Sequence, residues 1–194
     1  MRSVFVFLTG LLLSGGFAPA AWADTPAVTS ATTTQKARLD KLFVDLKRER
    51  NDKVAERIAG NIWQEWSDSG SATINLMMQW SQKAIEAQKF DVALDFLDQV
   101  VTLDPTYAEG WNRRATVHFM MKSYGKSMAD IEQTLQLEPR HFGALSGMAQ
   151  IMADTGHKKS ALEAWQRVLA IYPMMRSAQG QVSTLSEELA GEGI

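Results

Sequence analysis

Three prolines, Pro105, Pro139 and Pro173, stand 34 residues apart. A fixed period of that length marks repeated supersecondary units, here pairs of antiparallel helices. One such pair cannot cover its own apolar face, so it stacks on its neighbours, and the stack presents a continuous inner wall. The flanking residues agree with this reading. Leu103-Asp104, Leu137-Glu138 and Ile171-Tyr172 each put an apolar side chain at the end of a helix that the following proline stops. Aligned on the prolines, the units run over 74–107, 108–141 and 142–173, the last with a continuation beyond it, and the repeat region as a whole spans 71–173.

The flanks read differently. Residues 1–23 have the form of a secretory signal: Arg2, a short apolar run over 4–13, Pro19, and the small-x-small triplet Ala21-Trp22-Ala23. Cleavage after Ala23 and a periplasmic location are the expectation, with an uncleaved anchor as the alternative; the run is shorter than the ~20 residues of a spanning helix. The absence of cysteine excludes disulfides, thiolate zinc sites, a thiol nucleophile and lipid attachment at the cleavage point. Residues 24–35, rich in Ala, Thr, Ser and Pro, predict a flexible leader. Over 36–70 two amphipathic helices are expected. Leu39, Leu42, Phe43 and Leu46 share one face of the first. Val54, Ala55, Ile58, Ile62, Trp63 and Trp66 share one face of the second, capped by Asn51 or Asp52. This hairpin lacks the small-residue pattern of the later units and is either a degenerate first repeat or an N-terminal cap. Residues 174–194, with Val182, Leu185 and Leu189 on one side, predict a capping helix that frays at 191–193.

The chain resembles the tetratricopeptide repeat family. The residues that carry the resemblance are the terminal prolines; the large apolar side chains Met77, Trp111 and Leu145; the small pairs Ser81 and Ala93, Ala115 and Ser127, Ala149 and Ala161; the bulky Leu97, Ile131 and Trp165; and Gly156 in a turn. Small side chains at the two crossing positions let helix axes approach closely. As a whole the chain is similar to small exported tetratricopeptide proteins of alphaproteobacteria. The resemblance implies an all-α fold, an α-solenoid of stacked helix-turn-helix hairpins. Where the family often has leucine this chain has Trp80, Arg114 and Met148. Arg114 would point between helices, and its predicted partner is Asp130, sixteen residues on.

Catalysis needs converging groups with tuned proton affinities. His118, His141 and His157 have no partner at metal-ligand spacing and read as structural. There is no phosphate loop and no nucleophile elbow. Asp91, Asp95 and Asp98 read as a solvated helix face. The net charge of −2 and the lack of a basic patch give nucleic-acid binding no support. No cofactor and no metal are expected, and no membrane span after signal removal.

The family places ligand contacts on the inner wall, from the first helix of each unit. Here those positions include Met78 and Gln82, then Asn112, Thr116 and Phe119, then Gln150, with Arg113 beside them. Asn75, Ile85, Glu109, Gly143, Ser146 and Ala153 complete the row. This mixed amide and apolar wall suits a protein or extended peptide; a wall that is empty, or filled by the N-terminal hairpin, is the alternative. A subtype that grips a terminal carboxylate uses Lys, Asn and Arg, where this chain has Met78, Gln82, Arg113, Gly143 and Gly147; only Arg113 could serve. The function expected is an exported interaction module, an adaptor or assembly factor of the cell envelope with an unknown protein or peptide partner. A self-associating homo-oligomer and, more remotely, a hydrolase are the alternatives.

Overall fold

In a computed structural model, which describes residues 26–191, the chain forms helices α1 (Pro26–Arg48), α2 (Asp52–Ser67), α3 (Ala72–Glu86), α4 (Phe90–Leu103), α5 (Ala108–Met120), α6 (Tyr124–Leu137), α7 (Phe142–Asp154), α8 (Lys158–Ile171) and α9 (Arg176–Gly191). There is no strand among the described residues. The expected signal over 1–23 lies outside them, as do 192–194 of the expected capping segment.

Helices α3 to α8 form three hairpins of one design. The crossing residues Ser81, Ala93, Ala115, Ser127, Ala149 and Ala161 are all buried, and so are Leu97, Ile131 and Trp165. Ser127 Oγ donates to the Ala115 carbonyl across its hairpin at 2.8 Å, a contact that a larger side chain would block. Each hairpin turns through one left-handed residue: Gln88 (φ 56°), Lys122 (φ 56°) and Gly156 (φ 82°). In each turn two amides reach back to the carbonyls that the helix leaves open, as in Lys122 N to Phe119 O at 2.8 Å and Ser123 N to His118 O at 2.9 Å. Only the third unit uses the residue that adopts this conformation freely.

The connectors between units also repeat. Trp111 Nε1 donates to the Pro105 carbonyl at 3.0 Å, and Gln179 Nε2 does the same to Pro173 at 2.7 Å. Arg114 behaves as its position suggests: its Nε and Nη2 donate to the two Asp130 oxygens at 2.8 and 2.7 Å. Its Nη1 also reaches Asp98 of the previous unit at 2.8 Å, so Asp98 is a tie between units and not merely a solvated carboxylate. At the far end α9 packs on α8 through the buried Ala178 and Leu185.

The N-terminal region departs from expectation twice. The predicted leader over 24–35 is helical from Pro26, because α1 begins there. Proline is favoured in the first helical turn, where its missing N–H costs nothing. Second, the α1–α2 hairpin is neither a stacked repeat nor a cap on the first unit. Gln35 Nε2 holds the Glu65 carbonyl at 2.7 Å and Arg38 grips the Glu65 carboxylate at 2.7 and 2.8 Å, so the hairpin is internally tied. Yet α2 does not pack along α3; the hairpin instead packs on α5 and α8. Its apolar face merges with the third unit in one core that joins Phe43, Leu46, Ile62 and Trp66 to Phe142, Leu145, Trp165 and Tyr172. The physical reason is ring packing: there Trp63 and Trp66 meet His141 and Phe142 at centroid distances of 4.0 to 5.6 Å.

Candidate functional site

The inner wall begins at the N-terminal ends of α5, α7 and α9, and α2 lies across them. Asp52 at the start of α2 pairs with Arg176 of α9. Further along, Trp66 stacks on His141 with centroids 4.0 Å apart and planes 9° from parallel. Trp63 meets His141 and Phe142 edge-on at 5.4 and 5.6 Å. Trp63 also sits over Gly143, where a Cβ would lie 2.7 Å from its Cη2. The second edge of the hairpin is held by Arg140, which donates to Asp40 at 2.7 Å and lies over the Phe43 ring at 4.2 Å.

Under α2 sits a buried polar cluster. Glu109 is almost fully buried and accepts from Asn112 Nδ2 at 2.8 Å and from Arg113 Nη2 at 2.9 Å. His141 Nε2 lies 3.2 Å from the same carboxylate. His141 is the N-cap of α7, its Nδ1 accepting from the Ala144 amide at 3.1 Å. That bond places the ring proton on Nε2, aimed at Glu109. Burial pushes the Glu109 carboxyl up, but the His141 hydrogen bond and the Arg113 guanidinium push harder, and it lies below its ordinary value. A carboxylate held down in this way is a structural anion; a general acid or base for neutral pH needs the opposite shift.

Beside this cluster the wall opens into a cleft of about 500 Å³ between α2, α3 and α5, lined among others by Trp63, Gln64, Asn75, Met78, Gln79, Gln82 and Arg113. Of the residues that the sequence points to, Met78, Gln82 and Arg113 meet here. Gln82 Oε1 accepts from Arg113 Nη1, so the guanidinium is fixed between Gln82 and Glu109. Asn112 is buried on Glu109 and is spent there. Thr116, Phe119 and Gln150 do not line this cleft. Thr116 is exposed and donates to the Asn112 carbonyl at 2.9 Å. Phe119 packs on Tyr124 at 5.7 Å, and Gln150 donates to Asp154 at 2.7 Å.

Sequence reasoning missed that α2 supplies Trp63 and Gln64 to this site; Trp63 reads as plain core in a helical-spacing argument. It also missed the Glu109–His141 pair, which joins α5 to the N-cap of α7 across 32 residues and leaves no local pattern.

Stacked helix pairs of one repeating design define a helical-repeat protein, an α-solenoid. No family model matches the chain. It is 57% identical over 162 residues to a TPR repeat-containing protein of Rhizobium etli, covering 84% of this chain and 79% of that protein. It is 26% identical over 117 residues to small glutamine-rich tetratricopeptide repeat-containing protein 2 of Saccharomyces cerevisiae, covering 60% of this chain and 34% of that protein. Among solved structures, the first TPR of Spaghetti (RPAP3) bound to an HSP90 peptide superposes with TM-score 0.59 at 21% identity, over 62% of this chain and 95% of that one. The TPR2B domain of yeast Sti1 in complex with an Hsp70 peptide superposes with TM-score 0.57 at 15% identity, over 61% and 99%. The chain belongs to the tetratricopeptide repeat family.

Proposed function

We propose that this protein is an exported interaction module of the cell envelope, an adaptor or assembly factor that holds a protein or extended peptide in the cleft between α2, α3 and α5. The observation that carries this reading is the lining. The amide side chains of Gln64 and Gln79 line the same space as Trp63 and Met78, while Asn75 is tied to Ser69 and Asp68 and Gln82 to Arg113 and Glu86. Amides bond a peptide backbone, and an aromatic beside a thioether takes an apolar side chain. Arg113 adds one fixed positive charge. The peptide complexes of the structural neighbours support a peptide as guest. The protein is not an enzyme in this reading, because the one deeply buried carboxylate at the wall, Glu109, is locked by its donors. No described helix is long and apolar enough to cross a membrane.

The test is a photo-cross-linker placed at Gln79, inside the cleft, and at Gln99, on the exposed side of α4, in cells that express the full chain. A defined partner captured from Gln79 in the periplasmic fraction, and lost with Gln64→Ala plus Asn75→Ala, is the expected result. Equal capture from both positions contradicts the cleft. Mature protein that starts before Asp24 and stays in the cytoplasm contradicts export.

A further inference from the structure

Helix α2 treats the inner wall as a ligand would. It runs from Arg176 of α9 to the stacked His141 that caps α7, and it packs two aromatic side chains one turn apart, Trp66 buried and Trp63 half-buried. Among the described residues, no helix packs along α3 where α2 would sit in a regular stack. In the second unit, α4 packs along α5, and in the third, α6 packs along α7. The corresponding face on α3 and α4 has no such neighbour among the described residues, and Leu76, Trp80 and Val92 are each 42% exposed there. Trp80 and Phe96 touch across this face at 5.5 Å. Sequence equivalence sharpens the point, because Trp80 stands one period before Arg114, which is tied to the preceding helix through Asp98.

The connector does not forbid that stacking. Residues 68–71 join α2 to α3, and the connectors at 104–107 and 138–141 have the same length. Nor is the seat on the wall a perfect one. Trp66 Nε1 and the Tyr107 hydroxyl are buried with no hydrogen-bond partner. The two residues line the space between the hairpin and the unit connectors. Trp66 leaves with the hairpin, but Tyr107 stays in the wall, and a guest that offers an acceptor to its hydroxyl gains what α2 does not supply.

We propose that the α1–α2 hairpin is a built-in occupant of the inner wall, exchanged for a partner's amphipathic helix that carries two aromatic side chains one turn apart, and that the released α2 then stacks on α3. This rests on the reading of the wall as a binding groove and goes beyond it: the guest is a helix, and it ends in the place of α2 rather than beside it. The cleft at Met78 and Gln82 is where such a helix first makes contact, and the salt bridges of Arg140 and Arg176 to the hairpin are the clasps that yield.

The experiment uses the full chain and a fluorescent peptide with the sequence of residues 52–67. Anisotropy is read for the wild type, for Trp63→Ala with Trp66→Ala, and for Asp40→Ala with Asp52→Ala. The last variant removes the two ion pairs and leaves every aromatic contact of the hairpin in place, so it answers the question even if the tryptophan variant folds poorly. The aromatic variant binds the peptide at least tenfold more tightly than the wild type, and the clasp variant several-fold more tightly. A peptide with both tryptophans replaced by alanine loses at least tenfold. Spin labels are placed at Lys53→Cys with Gln179→Cys, and at Lys53→Cys with Lys83→Cys. On adding peptide the first distance lengthens and the second shortens. Equal peptide binding by all three proteins overturns the exchange. Peptide bound with both distances unchanged overturns it too, but leaves the groove standing. A hairpin that opens in the clasp variant while no peptide binds refutes the groove itself. Lengthening of both distances, or a dimer broken by Trp80→Glu, overturns the stacking on α3 and gives that face to solvent or to a second copy.

Discussion

Trp66 lies flat on His141, 4.0 Å between centroids, and this contact joins the N-terminal hairpin to the third repeat. His141 is at once the cap of α7, the neighbour of Glu109 and the platform for an indole. One side chain therefore couples the covering helix to the polar cluster beneath it. Truncation at Trp66 removes a large buried aromatic, and Trp66→Ala lowers stability by about 3–5 kcal/mol in urea denaturation. The loss appears first as exposure of α1 and α2 to hydrogen exchange, ahead of α3 to α6.

Gly143→Ala probes the same seat from below. The added methyl meets the Trp63 ring at 2.7 Å, closer than carbon atoms pack, so the ring must move. Overpacking of this kind costs about 1–3 kcal/mol. Far-ultraviolet circular dichroism stays unchanged, while amide protection falls in α2.

The acid limb of the stability curve has two sources of one sign. Burial holds His118 below its ordinary value, although Asp130 lies 3.9 Å away and pulls it up. Glu109 is also held down. A depressed group contributes stability that is present above its unfolded value and is lost as pH falls through the folded value. Urea midpoints are therefore flat above neutrality, fall as pH drops below the ordinary histidine range, and fall again through the carboxylate range. Glu109→Gln flattens the second fall and costs about 1–3 kcal/mol at pH 7 because it unpairs buried donors. A wild-type midpoint that rises on acidification contradicts this assignment.

Arg114 separates a buried tie from an exposed one. Asp130 is nearly buried, whereas Asp98 is 64% exposed at its side chain. Arg114→Ala leaves Asp130 without its counter-charge and costs about 3–5 kcal/mol. Asp98→Ala costs about 0.5 kcal/mol, the worth of a surface pair. Arg114→Lys does not restore the difference, since an ammonium cannot make the two-pronged contact with Asp130. Denaturant midpoints of the three variants check the order.

The hairpin turns give a prediction of gain. Lys122 sits at φ 56° in a turn whose third copy has glycine at φ 82°. Lys122→Gly relieves that conformation and stabilises by about 0.5–1 kcal/mol, and Gly156→Ala imposes it at a cost of about 1 kcal/mol. Thermal melts of the two variants move in opposite directions.

The repeats were legible because their signals are local and recur. Pro105, Pro139 and Pro173 mark the ends, Ser81 and Ala115 mark crossings, and Arg114 finds Asp130 within one hairpin. The site was legible only in part. Met78, Gln82 and Arg113 follow from the period and do share a cleft. The role of Trp63 and Trp66 does not follow, because an aromatic face on α2 is written the same way whether it packs on α3 or folds over α7. That choice is made by Gly143, which gives room to Trp63, and by His141, which offers a ring to Trp66. Both lie more than seventy residues away in the chain. The leader was misread because alanine and threonine beside a proline carry little apolar spacing, although Pro26 suits a first helical turn.

The seat of α2 on the inner wall is tested most directly by nuclear Overhauser contacts of the Trp66 ring in the full-length chain. The account predicts strong contacts from Trp66 to the His141 ring and to Phe142, with none to Leu76 or Trp80. Contacts from Trp66 to Leu76 or Trp80, with the His141 ring free of aromatic neighbours, would contradict it.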